Sequence, residues 1–290
     1  MISDSHTSFI PLAAPDDLLA QEAAAFRASQ RFPQVVRAYT EGLARFREAP
    51  WIVNKLAAYD LRMRVVAFLL YLDADSQAPP GQESGATYGR LLELCMRRNE
   101  VSPRVLKTTL TLLKLAGLVQ VKNDPDDRRR KFYHPTERLA DFIGLWLGYA
   151  IGALEVLEPD NPRAQWYRED PDFVSRFFLA AGHDYMSDMP LTDRLPDFVS
   201  FFGGREGASA VIVSVMLAHF DGTEIPSRAK IGRRFGISKT QIGKVIREGE
   251  ERGYWTLDAT TAPVATSHLH AQYGHWISLE LAFYARHMRP

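Results

Sequence analysis

The chain has 290 residues, 46% of them hydrophobic and 24% charged, with a net charge of zero. That composition excludes a disordered or fibrous chain and leaves room for two domains of ordinary size. A single cysteine excludes an intramolecular disulfide.

The opening MISDSHTSFIPLAAPDDLLA has neither the basic n-region nor the apolar h-region of a signal peptide. The longest uncharged apolar run, Phe142 to Leu154, is 13 residues, short of the ~20 that cross a bilayer as a helix. A cytoplasmic protein without a membrane partner is expected, with this run as a buried or subunit-interface helix.

Residues 16–30, 33–48 and 51–72 read as helices by composition and amphipathic spacing, and DADSQAPPGQESGA (73–86) as a loop. A helix over Thr87 to Arg98 packs through Leu91, Leu92 and Cys95. After the short NEV connection, Ser102 is a good N-cap and Pro103 suits the first helical position. Leu106, Leu110 and Leu113 recur at spacings of four and three, giving one buried stripe, and Gly117 ends the helix. Arg104, Lys107, Thr108, Thr111 and Lys114 are left on the outer face, and the helix pair reads as a helix-turn-helix. LVQVK and KFYH are β-prone runs around a Pro/Asp turn, so NDPDDRRRK (123–131) is a hairpin tip.

Thr136 then caps a long apolar helix, and EPDNPRAQ (158–165) reads as a linker. DPDFVSRFFLAAGHDYM, DRLPDFVSFF and ASAVIVSVMLAHF read as three further helices. A second helix-turn-helix follows, with Ser238 as cap, Ile242 and Ile246 buried, and Lys239, Thr240, Gly243, Lys244 and Arg247 outside. Tyr254, Trp255 and Leu257 start its hairpin, and SHLHAQYGHWISLELAFYARH is its terminal helix.

Zero net charge conceals a strong asymmetry. Arg97 to Lys131 holds ten basic and four acidic residues, a net of +6, and Ser227 to Arg252 eight against three, a net of +5. Positive charge confined to two segments is the electrostatic footprint of a nucleic-acid binder. The two segments also superpose without gaps at an offset of 136: Arg97 and Arg98 on Arg233 and Arg234, Val101 on Ile237, Ser102 on Ser238, Leu106 on Ile242, Leu110 on Ile246, Gly117 on Gly253. One supersecondary unit occurs twice.

The run SPRVLKTTLTLLKLAGLVQVKNDPDDRRRKFYHPT, residues 102 to 136, resembles the recognition helix and wing of MarR-type winged-helix transcription regulators. It shares a capped helix with Leu at its buried positions, Gly-Leu-Val entering the strand, and an Asp-x-Arg wing tip. The likeness covers about 35 residues closely and Trp51 to Leu157 loosely. It implies that Arg129 enters the minor groove braced by Asp127, that Arg128, Arg130 and Lys131 join it on phosphates, and that Arg104, Lys107, Thr108 and Thr111 face the major groove. A MarR-type subunit corresponds to half of this chain, so the chain acts as a pseudo-dimer or dimerises further through its apolar helices; the sequence leaves both open. The second wing, DATTAPVATS, has no Lys or Arg, so the two heads are expected to be unequal.

The expected fold is therefore mainly α with small β-hairpin wings, as tandem winged helix-turn-helix domains. The divisions are a helical segment over 1–50, a first winged domain over 51–158, a helical linker over 159–205 and a second winged domain over 206–290. The expected function is sequence-specific binding of double-stranded DNA for transcription regulation. A tandem winged-helix replication initiator or other DNA-architecture protein is the alternative, and a protein-binding winged-helix module a third reading. Cys95 overlies Ile231 in the repeat and reads as a core residue, and His268, His270 and His275 lack the companions of a metal site. GGREG (203–207) follows no buried strand, which argues against a phosphate loop. Trp146, Tyr149, Trp166 and Tyr167 are read as core, with an unidentified effector pocket as the other reading. No Ser-His-Asp, Cys-His or paired-carboxylate arrangement stands out, so no enzyme, cofactor or metal is expected.

Overall fold

The computed structural model describes residues 17–48, 51–75, 85–97, 101–124, 129–187 and 194–289. It is mainly helical, with two small antiparallel sheets of two strands each. In chain order the described elements are α1 (Leu18–Ala28), α2 (Phe32–Phe46), α3 (Trp51–Ala57), α4 (Asp60–Ala74), α5 (Tyr88–Arg97), α6 (Pro103–Leu115), β1 (Val119–Asn123), β2 (Lys131–Pro135) and α7 (Glu137–Leu157). There follow α8 (Arg163–Glu169), α9 (Phe173–Ser187), α10 (Pro196–Phe202), α11 (Ala208–Asp221), α12 (Arg228–Phe235), α13 (Lys239–Glu251), β3 (Trp255–Leu257), β4 (Pro263–Ala265) and α14 (Ser267–His287).

The duplication seen in the sequence is reproduced in the bonds that start and end the central helix of each copy. Ser102 Oγ accepts from the Val105 N–H at 3.3 Å and Ser238 Oγ from the Gln241 N–H at 3.1 Å, each starting a helix of 13 residues. Both helices end on a left-handed glycine, Gly117 at φ 66° and Gly253 at φ 72°, where a side chain would be strained. The next N–H closes the turn on the helix, Leu118 to Leu113 O and Tyr254 to Gly249 O, both at 2.9 Å. Thr136 and Thr266 then donate their hydroxyls to the carbonyls of Gly117 and Gly253, at 3.0 and 2.7 Å, and each precedes a helix of 21 residues.

The repeat extends beyond those segments. α2 and α9 both have 15 residues, and α3 and α10 both have 7. α4 packs on α5, α6 and β2, and α11 in the same way on α12, α13 and β4. Over the described residues the chain is thus two copies of one sequence of elements, with α1 matched by α8. EPDNPRAQ is not all linker, because α8 begins inside it at Arg163. That residue is buried and pairs with Glu158 at 2.5 Å, and Trp166 N–H bonds to Pro162 O at 3.0 Å.

The halves exchange helices. α1 packs on α14 and α2 on α11 of the second half, while α8 packs on α7 and α9 on α4 of the first. Trp276 of α14 lies 6.5 Å from Tyr39 of α2, and its repeat partner Trp146 of α7 lies 6.5 Å from Phe178 of α9. Buried polar links cross the same seam. Thr40 donates to Val36 O at 2.6 Å, so the 2.9 Å contact with Tyr273 must have the Tyr273 hydroxyl as donor. Lys55 of α3 donates to Gly236 O at 2.8 Å, behind α12. One continuous core runs from Leu19 to Met288.

α11 is buried almost all round, from Ala208 to Met216, as a helix without a polar face must be. α7 spans 21 residues because Glu137, Arg138 and Asp141 prolong the apolar run by a polar first turn. The expected Thr136 side-chain cap does not form, and its hydroxyl is turned to Gly117 O, whereas Thr266 Oγ1 also accepts from the Leu269 N–H at 3.3 Å. It is the one helix among the described residues long and apolar enough to cross a membrane, and here it is packed by α2, α8, α9 and α14.

Leu19 of α1 is fully buried against the other half. Leu19→Ala should destabilise the whole chain by about 2–5 kcal/mol, seen as a lower midpoint of a single thermal transition. An unchanged midpoint with local loss of α1 would show that α1 is an appendage. Gly249 sits so close to Trp255 that a Cβ would overlap the indole ring. Gly249→Ala should cost about 1–3 kcal/mol by the same measurement.

Candidate nucleic-acid interface

α6 buries Leu106, Thr109, Leu110 and Leu113 and turns Arg104, Lys107, Thr108, Thr111 and Lys114 to solvent. Thr109 interrupts the apolar stripe and is nevertheless buried, because its hydroxyl donates to Val105 O at 2.8 Å. Thr111 does the same to Lys107 O at 2.9 Å, so its outward chemistry is a methyl group and an acceptor oxygen. Arg104, Lys107 and Lys114 form no ion pair among the described residues, whereas Arg37, Arg47, Arg90, Arg163 and Arg205 each meet a carboxylate within 4 Å.

The first hairpin pairs Val119 with Pro135 through to Asn123 with Lys131, and Asp124 N–H closes on Arg130 O at 3.0 Å. A bridge from Thr87 to Phe132 and a bond from Tyr133 N–H to Ala86 O dock it beside α5. Arg129 and Lys131 are exposed. Arg130 is drawn back onto the hairpin, 3.5 Å from Asp124 and stacked over Phe132 at 5.1 Å. Asp127 and Arg128 lie outside the described residues, so the bracing of Arg129 by Asp127 is not placed. His134 meets Asp73 at 3.4 Å.

The second unit keeps the frame and changes the surface. α13 buries Ile242, Val245 and Ile246 and exposes Lys239, Thr240, Lys244 and Arg247. Lys244 and Arg247 share a surface recess with Arg205, Glu248, Glu251 and Arg252, in which Arg205 and Arg252 reach Glu248 at 2.6 and 3.3 Å. Acids therefore dilute the positive face at its C-terminal end. The second hairpin has three-residue strands, and Asp258 folds its tip by accepting from Thr260 N, Thr260 Oγ1 and Ala262 N at 2.7–2.9 Å. Those bonds, chiefly the one from the Ala262 N–H, hold its carboxyl below the usual carboxylate range. Arg228 of α12 reaches Thr261 at the tip, at 3.4 Å. This cation beside the second hairpin comes from an earlier helix and is not visible in the hairpin's own sequence.

Of the aromatic residues weighed as an effector pocket, Trp146 lines an internal cavity between the halves. Tyr149 packs on Gly42 and Tyr167 on Gly144, away from that cavity. Cys95 is buried in the core, and His268 stacks on Tyr254. Among the described residues no three His, Cys, Asp or Glu side chains gather as metal ligands.

The cavity contains Glu280, which reads in sequence as one charge in an apolar helix. Burial pushes its carboxyl from 4.5 up to about 7. Between those values the folded chain holds a proton that the unfolded chain releases, so this group's contribution to stability is greatest below about pH 4.5 and is lost as the pH rises through about 7. Glu280→Gln should remove that slope, so the wild-type melting temperature should fall relative to the variant between pH 5 and 7.5. Parallel curves would contradict the burial argument.

No family model, curated protein or solved structure matches this chain.

Proposed function

We propose that the chain is a sequence-specific duplex-DNA-binding transcription regulator, built as two winged helix-turn-helix units in one polypeptide. α6 lies in a major groove, and the first hairpin lies on the flanking phosphates and minor groove through Arg129 and Lys131. α13 makes the second, weaker contact through Lys239, Thr240, Lys244 and Arg247. The observation that carries this reading is the outer face of α6. Three cations and two threonines stand exposed on a rigid, capped helix, and no carboxylate among the described residues neutralises them. Several arginines elsewhere in the fold are held by carboxylates, whereas this charge stays available to an anion outside the molecule. A helix of that composition, with a cationic hairpin beside it, suits base edges flanked by phosphates.

The unequal surfaces set the expected division of labour. Arg104 and Lys107 are replaced in the repeat by Thr240 and Gly243, so the two half-sites differ in sequence and strength. Arg130, held by Asp124 and Phe132, shapes the hairpin and contributes field rather than reach.

Lys107→Ala or Thr108→Ala should weaken binding at the preferred duplex by about 1–3 kcal/mol and leave scrambled duplex nearly unchanged. Arg129→Ala with Lys131→Ala should weaken both alike and flatten the slope of log K against log salt by about 0.9 for each phosphate no longer neutralised. Anisotropy titrations of both duplexes at several salt concentrations read these outcomes. Binding that ignores both sets of changes would overturn the assignment of α6 and the first hairpin.

A further inference from the structure

A cavity of about 510 Å³ lies where the two halves meet, enclosed by residues of α2, α4, α7, α9, α10 and α14. Its size is that of a small-molecule site. Phe46, Trp146, Phe178, Trp276 and Tyr284 supply aromatic walls, and the exposed residues Pro196, Ser200 and Gly204 mark its rim.

Four charged side chains line it: Arg47, Asp60, Arg64 and Glu280. Arg47 is committed to Asp60 at 3.3 Å and to Leu43 O at 3.2 Å. Arg64 is bonded to the Tyr185 hydroxyl and stacked on that ring at 5.2 Å. Glu280 differs from these. One oxygen accepts from the Tyr284 hydroxyl, while Oε2 is buried near the Tyr39 hydroxyl with neither atom partnered at hydrogen-bond distance, and no cation among the described residues lies within ion-pair distance. A buried carboxylate with no cation beside it is costly, and a cation entering the cavity would relieve that cost.

We propose that the cavity binds a lipophilic organic cation, an aromatic amine in its protonated form, with its rings against Trp146 and Trp276 and its ammonium on Glu280. Aromatic faces and a lone carboxylate attract such a cation together. An aromatic acid meets the opposite situation, because both cations of the lining are already engaged, Arg47 by Asp60 and Arg64 by Tyr185, and the acid would share the cavity with the Glu280 carboxylate. The site is single. The repeat places Ala150 opposite Glu280 and Leu154 opposite Tyr284, at the offset of 130 that relates Trp146 to Trp276, so each chain binds one ligand.

Binding requires the ionised carboxylate and therefore varies with pH. The other titratable or charged groups that act on Glu280 are Tyr284 and Tyr273 on its own helix, Tyr39 and Arg47 from α2, and Asp60 from α4. Tyr185 is contributed to the cavity by α9, while α7 and α10 line it with uncharged residues.

The test titrates the full chain with 1-naphthylmethylammonium and with 1-naphthoate, which shares its ring system and carries the opposite charge. Tryptophan fluorescence and calorimetry follow both titrations. One ammonium per chain should bind, at least about tenfold tighter than the naphthoate, and about tenfold tighter at pH 8 than at pH 6 as the carboxyl ionises. Glu280→Gln should abolish both the charge preference and the pH dependence while circular dichroism stays native. If that variant fails to fold, the charge preference and pH profile of the wild-type chain decide alone. Equal or tighter naphthoate binding, a pH-independent ammonium affinity, or no binding of either compound overturns the proposal, and none of these touches the DNA reading.

Discussion

Neither half of this chain covers its own apolar faces. α11 has no polar side to offer water, and part of its cover is α2, a helix of the other half; α4 in turn takes α9. Each fully buried leucine or aromatic residue along these seams contributes about 1.5–3 kcal/mol relative to exposure, and all of that depends on both halves being present. The exchange also determines how the two repeated helix pairs, α5 with α6 and α12 with α13, relate. α3 touches α6 of the first unit and, through Lys55, the end of α12 in the second. The spacing of the two outer faces is therefore a property of the core rather than of a tether.

A shared frame has permitted the surfaces to diverge. The caps, the left-handed glycines and the threonine bonds that set each hairpin are the same in both halves, because they hold the backbone. Side chains that do not hold it have drifted. The first hairpin keeps five-residue strands and exposed cations, and the second contracts to three-residue strands around an Asp258 turn. The same divergence appears inside, where α14 places Glu280 in the cavity and α7 offers Ala150 at the matching place. The two halves share one frame, and their differences leave a more cationic outer face on α6, a more mixed one on α13, and a cavity lined by Glu280 from one half only.

Much of this was legible in the sequence where the governing interactions are local. Ser102, Pro103 and Gly117 mark the ends of α6 through bonds within a few residues, and their copies do so for α13. The outer faces of both helices followed from the same periodicity. What was not legible is tertiary. α8 forms through the buried Arg163 and its pairing with Glu158 inside an apparent linker. The first helices of the repeat, α1 and α8, correspond in packing although one has 11 residues and the other 7, a likeness that only the tertiary structure announces. Arg130 belongs to the hairpin's own framework because Asp124 and Phe132 converge on it, an arrangement that a run of three arginines conceals. Glu280 became notable only once three helices had closed around it.

The central claim is that α6 reads bases while α13 makes a second, unequal contact on the same duplex. Selection of binding sequences from a randomised duplex pool by the full chain, followed by footprinting of the enriched site, tests it most directly. The account predicts two half-sites of different sequence about one helical turn, ~34–36 Å, apart, with the stronger abolished in Lys107→Ala and the weaker in Lys244→Ala with Arg247→Ala. No enriched sequence, or a footprint that both variants leave intact, would contradict it.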